Sequence, residues 1–331
     1  MKAAWYERKG PAREVLVAGS MPAPVPSAGE VLVRVMASGV NPSDTKGRSG
    51  ARGNVAMPFP RIVPHQDGAG VVEAAGPGVP GDRVGQRVWL FEAQLRRALG
   101  TAAEYVAIDA ANAVPLPGGT SFVEGACLGV PAMTAHRCVF ADGPVAGQTV
   151  LVTGGAGAVG FYAIQFARHA GARVIATVGN GEQARVAAEA GAELVVDRHR
   201  EDLAERVAGL TGAAGGRGVD RIVEVAFGAN LAASLKLLRP NGTIAAYSSD
   251  AEPEPRIPFW SLVTLDATVR FVLVYAMTRA AHLDAASFIT AALEGRWLRH
   301  NVGTALPLDR IAEAHELVEQ GRGGGKVVLE P

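Results

Sequence analysis

Residues 150–160 read VLVTGGAGAVG, a β-branched apolar run that breaks into glycines. FYAIQFARHAGARVIATVG follows as a helical pattern and then a second apolar run. Strand, tight turn, helix and strand in that order leave little choice of fold, because two parallel strands need a crossover and the helix supplies it. Gly155, Gly157 and Gly160 stand in G-x-G-x-x-G register. This assigns them the tight reversal, the close approach of main chain to a pyrophosphate and the close packing of helix on strand. N–H groups at the start of the helix face the phosphates, where the helix dipole favours negative charge. The turn Gly154, Gly155, Ala156, Gly157, Ala158, Val159 and Gly160 is therefore expected to hold a dinucleotide. An ordinary βα turn is what the glycines alone would also allow.

The end of the second strand bears on which dinucleotide. NAD sites usually carry Asp or Glu there, about 20 residues beyond the glycine turn, to bond the ribose 2′-hydroxyl. Here RVIATV ends in Gly179, Asn180 and Gly181 with no carboxylate at the tip; Glu182 lies past it, where the first turn of a helix favours an acid anyway. A 2′-phosphate could enter without meeting a fixed negative charge, with Arg198 and Arg185 as its counterions. The alternative is that Arg198 is a solvated turn residue. NADPH is favoured over NADH.

At 331 residues the chain has room for about two domains. Lys plus Arg and Asp plus Glu are equal at 32 each, so no net field recruits nucleic acid or an anionic membrane. The start MKAAWYERKG carries no apolar leader core, and no apolar stretch is long enough to span a bilayer unbroken. A soluble, cytoplasmic protein is expected. Cys127 and Cys138 are too few for a disulfide framework, suit a reducing compartment and read as inert core residues.

The first third reads as β-structure, with strands at 30–40, 68–76, 82–90 and 101–109 separated by Gly and Pro, a spacing that suggests a small barrel. From about Ser121 helical patterns alternate with apolar strands at 150–152, 173–178, 193–196, 221–225 and 243–247, as in a doubly wound parallel sheet. VRFVLVYAM, residues 269–277, reads as one continuous apolar strand, followed by two amphipathic helices and a closing strand KVVLEP. A long apolar strand arriving last on an open sheet would be an edge, and homodimerisation between Val269 and Tyr275 would cover it. Burial by a helix is the alternative.

GVNPSD, HQDGAGVVEAAGPGV, GDRVGQRVW, GVPAMTAHRCV, VTGGAGAVG and a terminal GGKVVLEP, in this order over essentially the whole chain, resemble one family. It is the zinc-independent, ζ-crystallin-like quinone oxidoreductases of the medium-chain dehydrogenase/reductase superfamily. The resemblance implies an α/β protein with a GroES-like β-barrel catalytic domain and a Rossmann doubly wound parallel sheet. The expected limits are residues 1–122 for the first part of the catalytic domain, 123–265 for the cofactor domain and 266–331 for the edge strand and the return. It also implies a cleft where nicotinamide and substrate meet, reduction of quinones or α,β-unsaturated carbonyls by NADPH, and commonly dimers.

In the zinc branch of that superfamily a Cys stands where this chain has Asn41 and a His where it has Gln66. A catalytic zinc needs three protein ligands, and two are replaced. His65 is adjacent, but its neighbouring position points it elsewhere, and it reads as a turn or surface histidine. No metal is expected. Without a Lewis acid a simple ketone is a poor acceptor, whereas a conjugated one spreads the incoming charge into an enolate or phenolate that hydrogen-bond donors can hold.

The candidate donors are Asn41, Lys46 and Thr134. By the resemblance Asn41 and Thr134 lie beside the nicotinamide. Lys46 stands in a loop where relatives often have Tyr, and it either binds ribose or the developing enolate or is merely exposed. Gln183 and Arg198 replace a Lys and a Tyr of some relatives at the phosphate. Val225, Phe227, Tyr247, Ser248, Ser249, Gly325 and Lys326 would touch ribose, nicotinamide and pyrophosphate, though each also fits an ordinary strand-end turn. Barrel loops at 50–60 and 91–100 would shape the substrate pocket. The competing functions are a zinc-type alcohol dehydrogenase and a protein that binds NADPH as a redox signal or for a structural role, without turnover.

Overall fold

The computed structural model describes residues 1–51, 56–212 and 218–331. They form two compact units, Met1–Val130 with Ala286–Pro331, and Pro131–Ala285. The borders expected at 122/123 and 265/266 thus compare with divisions at 130/131 and 285/286. Of the expected pocket loop 50–60, residues 52–55 lie outside the described residues.

The middle unit is a six-stranded parallel sheet in the order Leu194–Asp197, Arg173–Val178, Thr149–Val152, Val219–Glu224, Leu238–Ala246, Thr268–Phe271. The chain starts in the middle, builds outward on one side and then returns to build on the other. The crevice at that reversal, outside the carboxyl ends of Thr149–Val152 and Val219–Glu224, is where such sheets take ligands. The central strands are buried at nearly every position, which is why they read as unbroken apolar runs, and Leu151, Ile175, Val196, Ile222 and Ile244 form one core.

The expected strand at 269–277 is shorter. Only Thr268–Phe271 pairs, and after Val272 N–H reaches Ala246 C=O at 2.8 Å the chain turns through a 3₁₀ segment, Val274–Ala276. The carbonyl of the buried Val274 accepts from Met277 N–H at 3.1 Å and from His282 Nε2 at 3.0 Å, which satisfies it without a strand partner. The strand is nevertheless the edge of its sheet.

The other unit carries a seven-stranded sheet. Its path runs Val302–Pro307, Lys326–Glu330, Glu30–Val40, Asp67–Ala75, Arg87–Leu90, Ala113–Pro115, with Tyr105–Asp109 also paired to Glu30–Val40. Glu30–Val40 alternates buried and exposed over its first half and is wholly buried from Ala37 to Val40. That buried end receives the C-terminal strand antiparallel, Val327 opposite Val40 and Val328 opposite Gly39, which brings Lys326 level with Asn41.

The segment after Asn41, expected as a loop, is the helix Pro42–Ser49. Proline at the first helical position lacks an N–H that would be unused there anyway, and Gly50, with φ of 83°, ends the helix in the left-handed region. Among the described residues no helix is long and apolar enough to cross a membrane.

Candidate cofactor site and active-site cluster

Three conformational jobs are divided among the glycines of the turn, but not as the motif alone assigns them. The reversal falls on Gly154, at φ of 65°. Gly155 N–H bonds Thr177 C=O at 2.9 Å, and a Cβ there would lie 2.8 Å from Ala176 Cβ, so it is Gly155 that lets the turn pack on the neighbouring strand. A Cβ on Gly160 would sit 2.4 Å from Gly154 O, which fixes the approach of helix Ala158–His169 to its own turn. At Gly157 a Cβ would meet only Gly154 O, at 3.2 Å. The space over Gly157 is open. The N–H groups of Ala158, Val159 and Gly160 open the helix with no acceptor in the preceding turn, and are available to an anion.

At the tip of Arg173–Val178, Arg198 N–H bonds Val178 C=O at 3.0 Å. Its guanidinium lies over Gly179, 3.4 Å from where a Cβ would stand. Gly179 N–H bonds Gln183 Oε1 at 2.8 Å, and Asn180 Oδ1 caps the next helix by accepting from Gln183 N–H at 2.9 Å. Arg185 is turned to Glu189, one helical turn on, in an exposed ion pair. The tip thus gathers Gly179, Asn180 and Arg198, while Arg185 is engaged along its helix.

The strand ends on the other side of the reversal bring Val225, Phe227, Ser248 and Ser249 together. Phe227 N–H bonds Ser248 C=O at 3.0 Å and Gly228 N–H bonds Ser249 Oγ at 2.9 Å. Phe227 turns its ring into the core, edge-on to Phe271 at 5.3 Å. Tyr247 N–H bonds Glu224 C=O at 3.0 Å. Thr134 is buried in helix Gly129–Phe140.

In the other unit Asn41 and Lys326 meet. Both are buried, and between them lies Asp67, which the sequence reading did not single out although it stands in the quoted segment HQDGAG. Asp67 Oδ2 accepts from Asn41 Nδ2 at 2.8 Å and from Lys326 Nζ at 3.0 Å, and Oδ1 accepts from Val130 N–H at 2.8 Å. Lys326 Nζ also donates to Asn41 Oδ1. Asp44 Oδ2 accepts from Asn41 N–H at 2.8 Å. Burial, with the charge of Asp67 adding and Lys326 opposing, pushes the Asp44 carboxyl up to about 7. Lys46 is half-buried on the same helix. Gly325, at φ of 150°, lies against Asn301 and Gly303 with no room for a side chain.

His65 is not at the surface; it is fully buried at φ of 82°, inside a row of hydrogen bonds whose proton order is fixed. Thr101 Oγ donates to Asp67 C=O at 2.6 Å, since a carbonyl can only accept. Ser38 Oγ, 2.8 Å from Thr101 Oγ, must then donate to it, and His65 Nδ1–H must donate to Ser38 at 2.8 Å. That leaves His65 Nε2 to accept from His315 Nε2–H at 2.9 Å, the two rings being stacked. Burial holds both imidazoles well below the ordinary histidine value, His315 at about 3. The row serves Asp67 from behind. Gln66 is paired to Gln94, its Nε2 donating at 3.1 Å and its Oε1 accepting at 3.2 Å. The two cysteines are buried free thiols pushed up to about 12 by burial.

Residues 27–118 match the alcohol dehydrogenase GroES-like domain family, and residues 158–290 match the zinc-binding dehydrogenase family. The quinone oxidoreductase of Lama guanicoe is 34% identical over 92% of this chain and 90% of its own length. A mycobacterial protein solved as a complex with NADPH superposes with a TM-score of 0.87 at 31% identity, covering 100% of both chains. The Escherichia coli quinone oxidoreductase complexed with NADPH does so with a TM-score of 0.85 at 26% identity, again over 100% of both chains. The chain belongs to the quinone oxidoreductases of the medium-chain dehydrogenase/reductase superfamily.

Proposed function

We propose that the protein is an NADPH-dependent oxidoreductase that reduces quinones or α,β-unsaturated carbonyls without a metal. The observation that carries this reading is the open turn at Gly157 with the guanidinium of Arg198 over Gly179. The first admits a pyrophosphate against main chain, and the second offers a cation where a 2′-phosphate would lie, with no carboxylate at the tip to repel it. The residues present fit NADPH, and bound NADPH supplies the hydride. The N–H groups of Ala158, Val159 and Gly160 would hold the pyrophosphate, and Val225, Ser248 and Ser249 the ribose and nicotinamide end.

The substrate side is assigned to Asn41. Its amide is held by Asp67 and Lys326, yet Nδ2 has a second hydrogen beyond the one given to Asp67. That N–H would stabilise the oxygen on which negative charge collects, with Lys46 and Thr134 as further donors. Lys326 is assigned to fixing Asn41. The side chains at the two zinc-ligand positions do not fit a metal, since Asn41 is taken by Asp67 and Lys326 and Gln66 by Gln94. The reading includes a homodimer across the edge strand. Phe271 and Leu273 are 71% and 51% exposed there, apolar surface that water does not favour. Free buried thiols fit a cytoplasmic protein.

The test is NADPH consumption with a panel of quinones, enones and simple ketones, each run with NADH in parallel and with metal content measured. Turnover of quinone or enone by metal-free protein is the expected result. Stoichiometric zinc with turnover of simple alcohols or ketones would return the chain to the alcohol dehydrogenases. NADPH binding with no turnover on any acceptor would make it a binding protein.

A further inference from the structure

Glu224 ends a central strand of the parallel sheet and is 0% exposed. Its carboxyl group accepts from Thr153 Oγ at 2.8 Å, Ala226 N–H at 2.7 Å and Asn230 Nδ2 at 2.9 Å, all on Oε1, and Ser234 Oγ lies 3.4 Å from Oε2. Among the described residues none of these partners is a cation. A buried carboxyl without a counter-charge is an expensive thing for a core to keep, and an apolar side chain would fill the same space.

What the carboxyl group does is visible from its partners. The strands Thr149–Val152 and Val219–Glu224 pair through Arg221 with Val150, Ile222 with Leu151 and Val223 with Val152, and Thr153 N–H reaches Val223 C=O at 3.0 Å. There the ladder ends, one residue before the glycine turn. Beyond it side chains take over. Thr153 Oγ accepts from Val225 N–H at 3.0 Å while donating to Glu224, and Glu224 holds Ala226 N–H, just ahead of helix Phe227–Leu237.

We propose that Glu224 is a positioning residue for the dinucleotide, setting through Thr153 and Ala226 the separation of the glycine turn from the loop at 225–227. This rests on the cofactor reading above. The glycine turn takes phosphate and the 225–227 loop takes the nicotinamide end. Loosening the stitch between them should therefore harm a ligand that spans both more than one that holds the adenosine end alone. The ligand 2′,5′-ADP is that end alone.

The experiment titrates wild-type protein, Glu224→Leu, Glu224→Gln and Thr153→Val with NADPH, by fluorescence, and with 2′,5′-ADP, by calorimetry. Glu224→Leu and Thr153→Val should weaken NADPH by about tenfold or more and 2′,5′-ADP by at most about threefold, with Glu224→Gln, which keeps an acceptor oxygen, close to wild type on both. Thr153→Val is nearly isosteric and decides the matter if Glu224→Leu does not fold. Equal losses for the two ligands, or unchanged NADPH affinity in Thr153→Val, overturn the inference. Wild-type protein that binds neither ligand overturns the cofactor reading and this inference with it.

Discussion

The two units meet the demand for a precise site in opposite ways. Around the glycine turn the middle unit offers main chain, with Gly157 open and three N–H groups at a helix start. In the other unit the Asn41 amide is held by the side chains of Asp67 and Lys326, and Asp44 holds its N–H, all three buried around it. Main-chain recognition needs little beyond backbone shape and tolerates change around it. A buried polar cluster has no such slack, because removing one member leaves another unpaired in a place water cannot reach. Substitutions in the first should therefore change binding and leave stability, and substitutions in the second should lower stability first of all.

The largest effect expected is from Lys326→Met, which strands Asp67 without its cation and should cost about 3–5 kcal/mol of stability, read as the loss of unfolding free energy in urea. A loss below about 1 kcal/mol would mean the cluster relaxes as freely as a surface pair.

Acid comes next. His315, His65 and His300 are held neutral by burial, the first at about 3 and the last at about 4, against an ordinary value of 6.5. The unfolded chain takes up these protons first, so the stability they lend is present above pH 6.5 and drains as the pH falls toward 4. At pH 5 that is about 2 kcal/mol for each of His315 and His300, and His65 acts in the same direction. Asp44 works the other way. Raised to about 7 from 3.8, it binds its proton more tightly when folded and returns about 3 kcal/mol by pH 5. A net loss of stability between pH 8 and pH 5 is expected, followed by hydrogen exchange in this unit. A flat profile would show that the imidazoles are not locked neutral.

Gly157→Asp should weaken NADPH by a hundredfold or more, about 2.7 kcal/mol, with the unfolding transition unmoved. A lower melting temperature with intact binding would reverse the contrast between the two units. Arg198→Ala is the mildest, about 1.5–3 kcal/mol on NADPH and little on NADH, measured by titration. Equal effects on the two nicotinamides would place the 2′-phosphate elsewhere.

How much of this was legible in the chain follows the same division. The glycine turn, the parallel strands and the bare tip at Gly179 are local patterns, and the strand Glu30–Val40 and the strand Arg173–Val178 stand where the alternation and the apolar run put them. Local reading went astray where tertiary contacts decide. The apolar run at 269–277 pairs only to Phe271 because the chain then turns at Val274–Ala276, where Val274 C=O takes Met277 N–H and His282 Nε2, and PSDTKGRS is helical although its composition suggests a loop. Asp67 and Lys326 are 259 positions apart in sequence, and nothing at either position announces the other. His65 reads as superficial because its burial depends on His315, contributed by a helix near the other end of the chain.

The row from His315 through His65, Ser38 and Thr101 to the carbonyl of Asp67 has only one allowed arrangement of its hydrogens. Every O–H and N–H in it therefore donates in the same sense along the row, each bond polarising the next. Their positive ends lead toward the peptide that carries the anionic side chain. This unit thus contains a short relay of bond moments of one sense that ends on the peptide of a buried carboxylate, much as the first turn of a helix presents its N–H groups to a phosphate.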